Sequence, residues 1–305
     1  MTEPQPRCST ASVAVGEPTE GTAPHAVGWL VLEQPGPWGA KAFTASRLDP
    51  ALGARIEAAC ATTTRPVRPV LVRRPDGTSG DSRTLLLAHT TPGTGWLLGA
   101  QVDAAALGDL PWEALAVAVA TGDADLVRRE VPGCVPVPPL LLVCTNGKRD
   151  RCCAIEGRPV ALHVAAAHPG RVWETTHLGG HRFAPTAAVL PSGSVHGRLS
   201  TATAAALLHA ADHGKVLLDG TRGRSTWAPP AQAAEAAVRR EVGEHDADAL
   251  HVEGEREVVM VRHRDGRAWT VEVTREERAD ERPESCGKAA LPVAAWVAGV
   301  PQPAR

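Results

Sequence analysis

Three of the seven cysteines lie in one short stretch, CTNGKRDRCC, at Cys144, Cys152 and Cys153. Further along the chain, His177 and His181 flank the tripeptide LGG in the segment HLGGHRF. Thiolates and imidazoles bind soft and borderline metal ions, and thiols also carry redox chemistry. The odd number and the clustering of the cysteines favour metal or redox chemistry over a disulfide framework.

Two kinds of metal centre suit two cysteines and two histidines. Zinc favours tetrahedral sulfur and nitrogen ligands, but eight residues separate Cys144 from Cys153, more than in a tight zinc knuckle. A [2Fe–2S] cluster has two protein ligands on each iron, as in the Rieske arrangement, so its ligand pairs can lie further apart. The spacing alone leaves both metals open. A metal-free thiol oxidoreductase using Cys144 with Cys152 or Cys153 is a third alternative, although it lacks the C-x-x-C spacing.

The flanking sequence predicts that strand ends bring these ligands together. A buried strand over PPLLLVCT ends near Cys144, and a helix over residues 150–168 carries Cys153 in its first turn. A second strand, RVWETTH, ends at His177. Parallel strands joined through a helix end side by side, on the face where such folds bind ligands. The two glycines before His181 allow a sharp turn, so that both imidazoles face one point.

The order of the predicted elements indicates an α/β fold with an internal repeat. Each half of the chain has the order β-α-β-β-β-α, a βαβ unit followed by an antiparallel hairpin and a helix, which is the thioredoxin-like pattern. We therefore predict two thioredoxin-like halves plus a C-terminal helix and a β-hairpin that turns at RDGR. The predicted division is a disordered leader over residues 1–25, a degenerate thioredoxin-like α/β domain over 26–130, a thioredoxin-like domain with the candidate ligands over 135–220, and the extension over 221–305.

The bulk composition argues against several classes of function. The net charge of −2 and the isoelectric point near 6.6 indicate no basic surface for nucleic acid. The N-terminus is polar and no run of about 18 apolar residues occurs, so we expect a cytoplasmic protein without a membrane span. Neither G-x-G-x-x-G nor a P-loop is present, so a nicotinamide or flavin cofactor is not indicated.

Several segments carry a resemblance to a known family. They are EQPGPWG, LLVCTNGKRDRCC, GRPVA, VWETTHLGGHRFAPTAAVLPSG, GRSTWAPPAQAAE and SCGK. Together they make the chain similar, over nearly its whole length, to the sucrase/ferredoxin-like family of thioredoxin-like ferredoxin proteins. Fungal members of that family hold a [2Fe–2S] cluster on two cysteines nine positions apart and two histidines four positions apart. Residue by residue, the resemblance assigns this role to Cys144, Cys153, His177 and His181.

The resemblance implies a redox protein that carries single electrons, with a ferredoxin domain over residues 135–220 and a reductase or electron acceptor as its partner. Histidine ligation further implies that electron transfer is coupled to proton transfer. Glycosidase activity, the other half of the family's name, has no support, because no pair of carboxylates occurs in a recognisable setting. The chain departs from the family's usual residues at Asn146 and Thr175, but neither position is a mapped ligand.

Other candidate residues surround the four mapped ligands. Cys152 is interpreted as a neighbour of the ligands and a small helix residue. Basic side chains crowd the ligand loops at Lys148, Arg149, Arg151 and Arg182. We expect them to stabilise a reduced cluster or to dock an acidic reductase. We expect ordinary buried or free thiols, or a thiol without assigned chemistry, at the remaining cysteines: Cys8, Cys60, Cys134 and Cys286.

Overall fold

The computed structural model describes residues 7–254 and 256–304. Its first element is a helix, α1 (Cys8–Ala14), inside the segment that was predicted to be a disordered leader. The prediction is wrong for this helix, because Cys8 and Ser12 are buried against later parts of the chain. Residues 1–6 lie outside the described residues.

The first half of the chain follows the predicted order of elements. These are β1 (Gly28–Glu33), α2 (Pro50–Ala61), β2 (Val67–Arg73), β3 (Ser82–His89), β4 (Trp96–Asp103) and α3 (Trp112–Thr121), followed by α4 (Ala124–Glu130) and β5 (Val135–Pro136). The side chain of Asp49 accepts a hydrogen bond from the Leu52 backbone N–H at 2.9 Å, and Pro50 occupies the first turn of α2. Both features are typical of a helix start.

The second half repeats the same order. It consists of β6 (Leu140–Cys144), α5 (Arg151–Ala167), β7 (Val172–Thr175), β8 (Ala187–Leu190), β9 (Ser194–His196) and α6 (Thr201–Asp212). The strand β6 is buried along its whole length, as its continuous apolar run predicts for a central strand covered on both faces. Ser200 caps α6 by accepting a hydrogen bond from the Thr203 backbone N–H at 3.0 Å.

Both halves, with the edge strand β10 (Thr221–Arg224), form one ten-stranded sheet in the order β10-β9-β8-β6-β7-β2-β1-β3-β4-β5. Within each half the four strands lie in the order fourth, third, first, second, and only the first and second are parallel. The halves meet where β2 pairs antiparallel with β7, with Val72 opposite Thr175. The α/β class and the repeated thioredoxin-like order are thus confirmed. The division into separate domains stays a prediction, since one sheet runs through both halves.

The C-terminal extension is a helix packed on a second, smaller sheet. It contains α7 (Pro229–Val242), β11 (Leu250–Glu253), β12 (Val258–His263), β13 (Ala268–Pro283), β14 (Ala290–Ala298) and β15 (Gln302–Pro303). The predicted hairpin is confirmed, because β12 and β13 pair antiparallel up to Arg262 and Ala268. At the far end of β13, Arg282 donates hydrogen bonds to Glu17 at 2.6 and 2.7 Å, which fastens this strand to the segment that follows α1. Across the described residues, no helix combines the length and the apolar character that crossing a bilayer requires.

Candidate metal centres

Cys144 is the last residue of β6 and is buried where that strand meets α5. It lies opposite Thr175, the last residue of the parallel strand β7, so both strands end at the same edge of the sheet. The helix approaches closely because Gly157 has no side chain: a Cβ there would lie 2.3 Å from the Cys144 carbonyl oxygen. Glycine at this position is therefore a condition for packing α5 against the end of β6.

Cys153 lies in the first turn of α5, where Asp150 is the cap. The Asp150 side chain accepts a hydrogen bond from the Cys152 backbone N–H at 2.9 Å, and the Cys153 N–H donates to the Asp150 carbonyl at 3.2 Å. With the helix start held in this way, the buried Cys153 thiol packs in the same apolar cluster as Cys144 and is near enough to shift the pKa of its thiol. The structure thus brings the two predicted cysteine ligands into contact.

His177 and His181 lie side by side in the loop after β7, with their ring centroids 4.7 Å apart. The intervening Gly179 and Gly180 have φ angles of +80° and +64°, in the left-handed region that favours glycine, so the sharp turn predicted from LGG is present. The Nδ1 atoms of both rings are buried and have no hydrogen-bond partner among the described residues. A buried ring nitrogen is normally bonded, so these two atoms mark a position where a ligand is expected.

The surroundings of Cys144 and His181 favour the protonation states that bind metals, whereas those of Cys153 favour the protonated thiol. The neighbouring Cys153 thiol lowers the pKa of Cys144 well below its ordinary value, and the neighbouring His177 adds to this effect against the opposing influence of burial. The same contact with Cys144, together with burial, raises the pKa of the Cys153 thiol. Burial, and then the neighbouring His177, lower the pKa of His181 to about 4, so its imidazole is neutral at pH 7. A thiolate and a neutral imidazole are the forms in which these side chains bind metals.

Comparison with known protein families agrees with this constellation. A family model described as sucrase/ferredoxin-like matches residues 19–223, more than half of the chain, including both cysteines and both histidines. This chain belongs to the sucrase/ferredoxin-like family. No curated protein and no solved structure matches it. The helix α1 and all residues after position 223 lie outside the matched part.

Two arginines that were not among the predicted site residues, the buried Arg222 and the half-buried Arg68, lie beside the candidate ligands of this sucrase/ferredoxin-like chain. Arg68 donates to the His177 carbonyl at 2.6 Å, and Arg222 donates to the Gly179 carbonyl at 3.0 Å. Both lie close enough to Cys144 for the negative charge of its thiolate to raise their pKa values, against the opposing influence of burial. Burial lowers the pKa of Arg222 to about 9. Arg68 is on β2 and Arg222 on β10, so no local spacing could have linked either of them to the histidine loop.

The basic residues that the sequence analysis did name fall into two groups. Lys148, Arg149 and Arg151 are exposed at the loop and the first turn of α5. Arg182 is half-buried and donates to Glu17 at 2.7 Å, so its charge is already paired. The exposed three stay candidates for contact with a partner.

A second group of potential metal ligands surrounds Cys152. The ligand atoms of Cys8, Asp150, Cys152 and Cys286 all lie within 4.8 Å of one another. The chain therefore contains a buried, cysteine-rich site that suits a metal ion. Burial would raise the pKa of Asp150, but hydrogen bonds from the Cys286 and Cys152 backbone and from Ser285 lower it to about 2.

This second group places three of the cysteines side by side. Cys8, Cys152 and Cys286 are free thiols, as expected for Cys8, but they lie in contact with one another instead of in separate parts of the fold. The tertiary fold brings them together from α1, the loop between β13 and β14 and the start of α5, which are far apart in the sequence. By contrast, Cys60 and Cys134 lie in the hydrophobic core of the first half, as expected for ordinary buried thiols.

Proposed function

We propose that this sucrase/ferredoxin-like chain is an electron carrier that holds a [2Fe–2S] cluster on Cys144, Cys153, His177 and His181. The observation that carries the proposal is the pair of adjacent imidazoles whose buried Nδ1 atoms have no partner among the described residues. They lie next to a pair of buried thiols, Cys144 and Cys153, that share one apolar cluster. Two thiolates and two imidazoles match the donor set of a Rieske-type cluster. When bound, such a cluster supplies one-electron transfer at a potential that histidine ligation raises.

The spread of the four side chains favours a cluster over a single zinc ion. Tetrahedral zinc, with bonds of about 2.0 to 2.3 Å, requires all four ligand atoms to lie within about 4 Å of one another. Among residues 7–254 and 256–304, one group has ligand atoms that all lie within 4.8 Å of one another. It is the group around Cys152, and it does not include the four proposed cluster ligands. Cys144 with Cys153 and His177 with His181 form two pairs instead, which suits two irons with two protein ligands each.

In electron transfer, the protein's own side chains would stabilise charge and move protons. If the buried Nδ1 atoms held the cluster, Nε2 of His177 or His181 would be the atom that takes up a proton on reduction and releases it on oxidation. The guanidinium groups of the half-buried Arg68 and the buried Arg222 would stabilise added negative charge at the site. Leu178 is fully buried between the two histidines and packs in the same apolar cluster as Cys144, which keeps water away from the site.

A redox partner is part of the proposal. Lys148, Arg149 and Arg151 form an exposed basic patch on the loop that joins the two cysteine ligands, where an acidic reductase or acceptor can approach. We further propose a cytoplasmic location, where free thiols stay reduced; all seven cysteines are free.

The decisive experiment is metal and spectral analysis of protein purified without oxygen. We expect about two irons and two acid-labile sulfides per chain, absorption in the visible, and an EPR signal that appears on reduction with dithionite. A preparation with one zinc on these four residues and neither iron nor sulfide would end the proposal.

Matched variants assign the cluster to its ligands. Cys153→Ser and His181→Ala are expected to lose iron, sulfide and visible absorption. His209→Ala is the control for the histidine, because His209 on α6 and His213 directly after it form an exposed pair of imidazoles with centroids 4.6 Å apart at the same spacing. Cys60→Ser is the control for the cysteine, since its thiol is buried in the core of the first half. Both controls are expected to keep the cluster.

A further inference from the structure

Cys8, Cys152 and Cys286 bring three sulfur atoms together from distant parts of the chain. The Sγ–Sγ distances are 3.6 Å between Cys8 and Cys152, 3.2 Å between Cys152 and Cys286, and 3.7 Å between Cys8 and Cys286. The carboxylate of Asp150 lies beside them, with its Oδ2 atom 3.6 Å from the sulfur of Cys8. Cys8, Cys152 and Asp150 are buried, and Cys286 is half-buried.

These distances are close to those expected around a zinc ion. A zinc–sulfur bond of about 2.3 Å places the sulfurs of a tetrahedral site about 3.8 Å apart. The triangle of sulfurs has edges of 3.2 to 3.7 Å, slightly less than that value. The oxygen of Asp150 lies at the position of a fourth ligand, within 4.8 Å of every sulfur.

Hydrophobic packing alone does not account for this group. Its fully buried apolar members are Cys8, Cys152 and the single methyl group of Ala184, with Cys286 packed against them. So small a cluster removes little apolar surface from water. An acidic side chain also lies directly against the sulfurs, and burying such a charge is costly unless a cation or hydrogen bonds compensate it.

Polar contacts outside the group orient its members. The Oδ1 atom of Asp150 accepts a hydrogen bond from the Cys152 backbone N–H at 2.9 Å, and Oδ2 accepts from the Cys286 N–H and the Ser285 hydroxyl, both at 2.8 Å. The Ser9 hydroxyl donates to the sulfur of Cys152 at 3.3 Å. Contacts of this kind fix the ligands of metal sites and are needed for high affinity.

We propose that Cys8, Asp150, Cys152 and Cys286 bind a structural zinc ion. Four protein ligands leave no open coordination position, which is the property of structural rather than catalytic zinc. Each thiol releases its proton to solvent as the ion binds. The ion ties α1 and the loop between β13 and β14 to the first turn of α5.

This site is separate from the proposed cluster. Cys8 and Cys286 lie outside the residues that the family model matches, 19–223, so the zinc site is not part of what the family match covers. The proposed zinc ligand Cys152 directly precedes the proposed cluster ligand Cys153, but the Asp150 cap holds this helix start without the ion. The two proposals can fail independently, because one concerns zinc and the other concerns iron and sulfide.

The test measures zinc and iron per chain in the full-length protein purified without oxygen, together with X-ray absorption at the zinc edge. We expect about one zinc per chain, bound to three sulfurs at about 2.3 Å and one oxygen at about 2.0 Å. Cys286→Ser, at the half-buried ligand, is expected to retain at most about a tenth of the zinc in a fixed concentration of a competing chelator. It keeps the iron and the visible absorption, and Cys60→Ser keeps both metals.

Three results would overturn the zinc site: a wild-type chain without zinc, zinc bound by two sulfurs and two nitrogens, or zinc that Cys286→Ser retains in full. If the wild-type chain lacks zinc, a disulfide between Cys152 and Cys286 would show that these thiols pair with each other instead of binding a metal ion. If Cys286→Ser failed to fold, the X-ray absorption of the wild type would still decide, because its sulfur and oxygen count identifies the ligands. Zinc retained in a chain without iron would refute the cluster and leave the zinc site standing.

Discussion

The carboxylate of Asp150 accepts a hydrogen bond from the backbone N–H of Cys286 at 2.8 Å, although 136 positions separate the two residues. The same carboxylate caps α5 by accepting the Cys152 N–H at 2.9 Å. Asp150 therefore joins the start of α5, which carries Cys152 and Cys153, to the loop between β13 and β14. Both proposed metal sites depend on this one side chain.

Replacing Asp150 should therefore cost more than removing an ordinary helix cap. For Asp150→Ala we expect the free energy of unfolding to fall by about 1 to 2 kcal/mol from the cap, and by about 1 to 3 kcal/mol more because the Cys286 N–H and the Ser285 hydroxyl lose their acceptor. Urea denaturation of the variant measures this loss. Asp49→Ala, which removes the exposed cap of α2, is the control and should lose only the cap contribution. Equal losses in the two variants would show that Asp150 is an ordinary cap.

Local sequence signals predicted most of the fold because the elements depend on local physics. The continuous apolar run of β6, the caps at Asp49 and Ser200, and the RDGR turn act within a few residues of themselves. The helix α1 was missed because its buried face is small and partly polar. Its Ser12 accepts hydrogen bonds at its carbonyl and hydroxyl from Arg198, 186 positions away, which no local pattern reveals.

The candidate sites divide in the same way. Cys144, Cys153, His177 and His181 could be named because each pair lies within one short motif. The residues that complete the surroundings come from remote positions, such as Arg68, 109 residues before His177. The proposed zinc ligands Cys8 and Cys286 have no neighbouring cysteine or histidine in the sequence that would have marked them.

The turn that carries the histidines should tolerate no side chain at Gly180. A Cβ there would lie 2.5 Å from the Arg222 guanidinium, which is buried and held by the carbonyl oxygens of Gly179 and Thr22. For Gly180→Ala we expect a loss of about 1 to 2 kcal/mol from the left-handed backbone, a further loss from displacing Arg222, and reduced iron content. Urea denaturation and iron per chain measure these effects.

Gly170→Ala is the matched control for this prediction. Gly170 also has a left-handed backbone, with φ of +75°, but a Cβ there would meet nothing within 4 Å. It should lose only the backbone contribution and keep its iron. Equal effects of the two substitutions would mean that the contact between Gly180 and Arg222 does not support the site.

Proton uptake at the histidines predicts a pH-dependent reduction potential. Above the imidazole pKa of the oxidised protein, the midpoint potential should fall by up to about 59 mV per pH unit for each proton that accompanies the electron. His181→Cys replaces one imidazole with a thiolate, so it should lower the potential and weaken this slope. Redox titration of cluster-loaded protein from about pH 6 to 10 makes the measurement, with His209→Ala as the control. A flat potential in the wild type would contradict proton coupling.

The stability of the fold should depend on pH through His196, which is fully buried on β9. Its Nδ1–H donates to the Asp219 carbonyl at 3.2 Å, while Nε2 has no partner in the described part of the chain. Burial lowers its pKa from 6.5 to about 4 despite this hydrogen bond. Below pH 6.5 the unfolded chain binds a proton that the folded chain does not. The contribution of His196 to stability is therefore complete above pH 6.5 and is lost as the pH falls towards 4, by about 3 kcal/mol in total.

The substitution His196→Asn separates this effect from other titrations. Asparagine keeps a donor but does not titrate, so the variant should lack this part of the decrease in unfolding free energy between pH 6.5 and 4, whatever its stability at pH 7. Urea denaturation across this range compares the slopes. His163→Asn, at an exposed histidine of α5, should keep the wild-type slope. Because every other titrating group is shared, identical slopes for the wild type and His196→Asn would rule out His196 as the source.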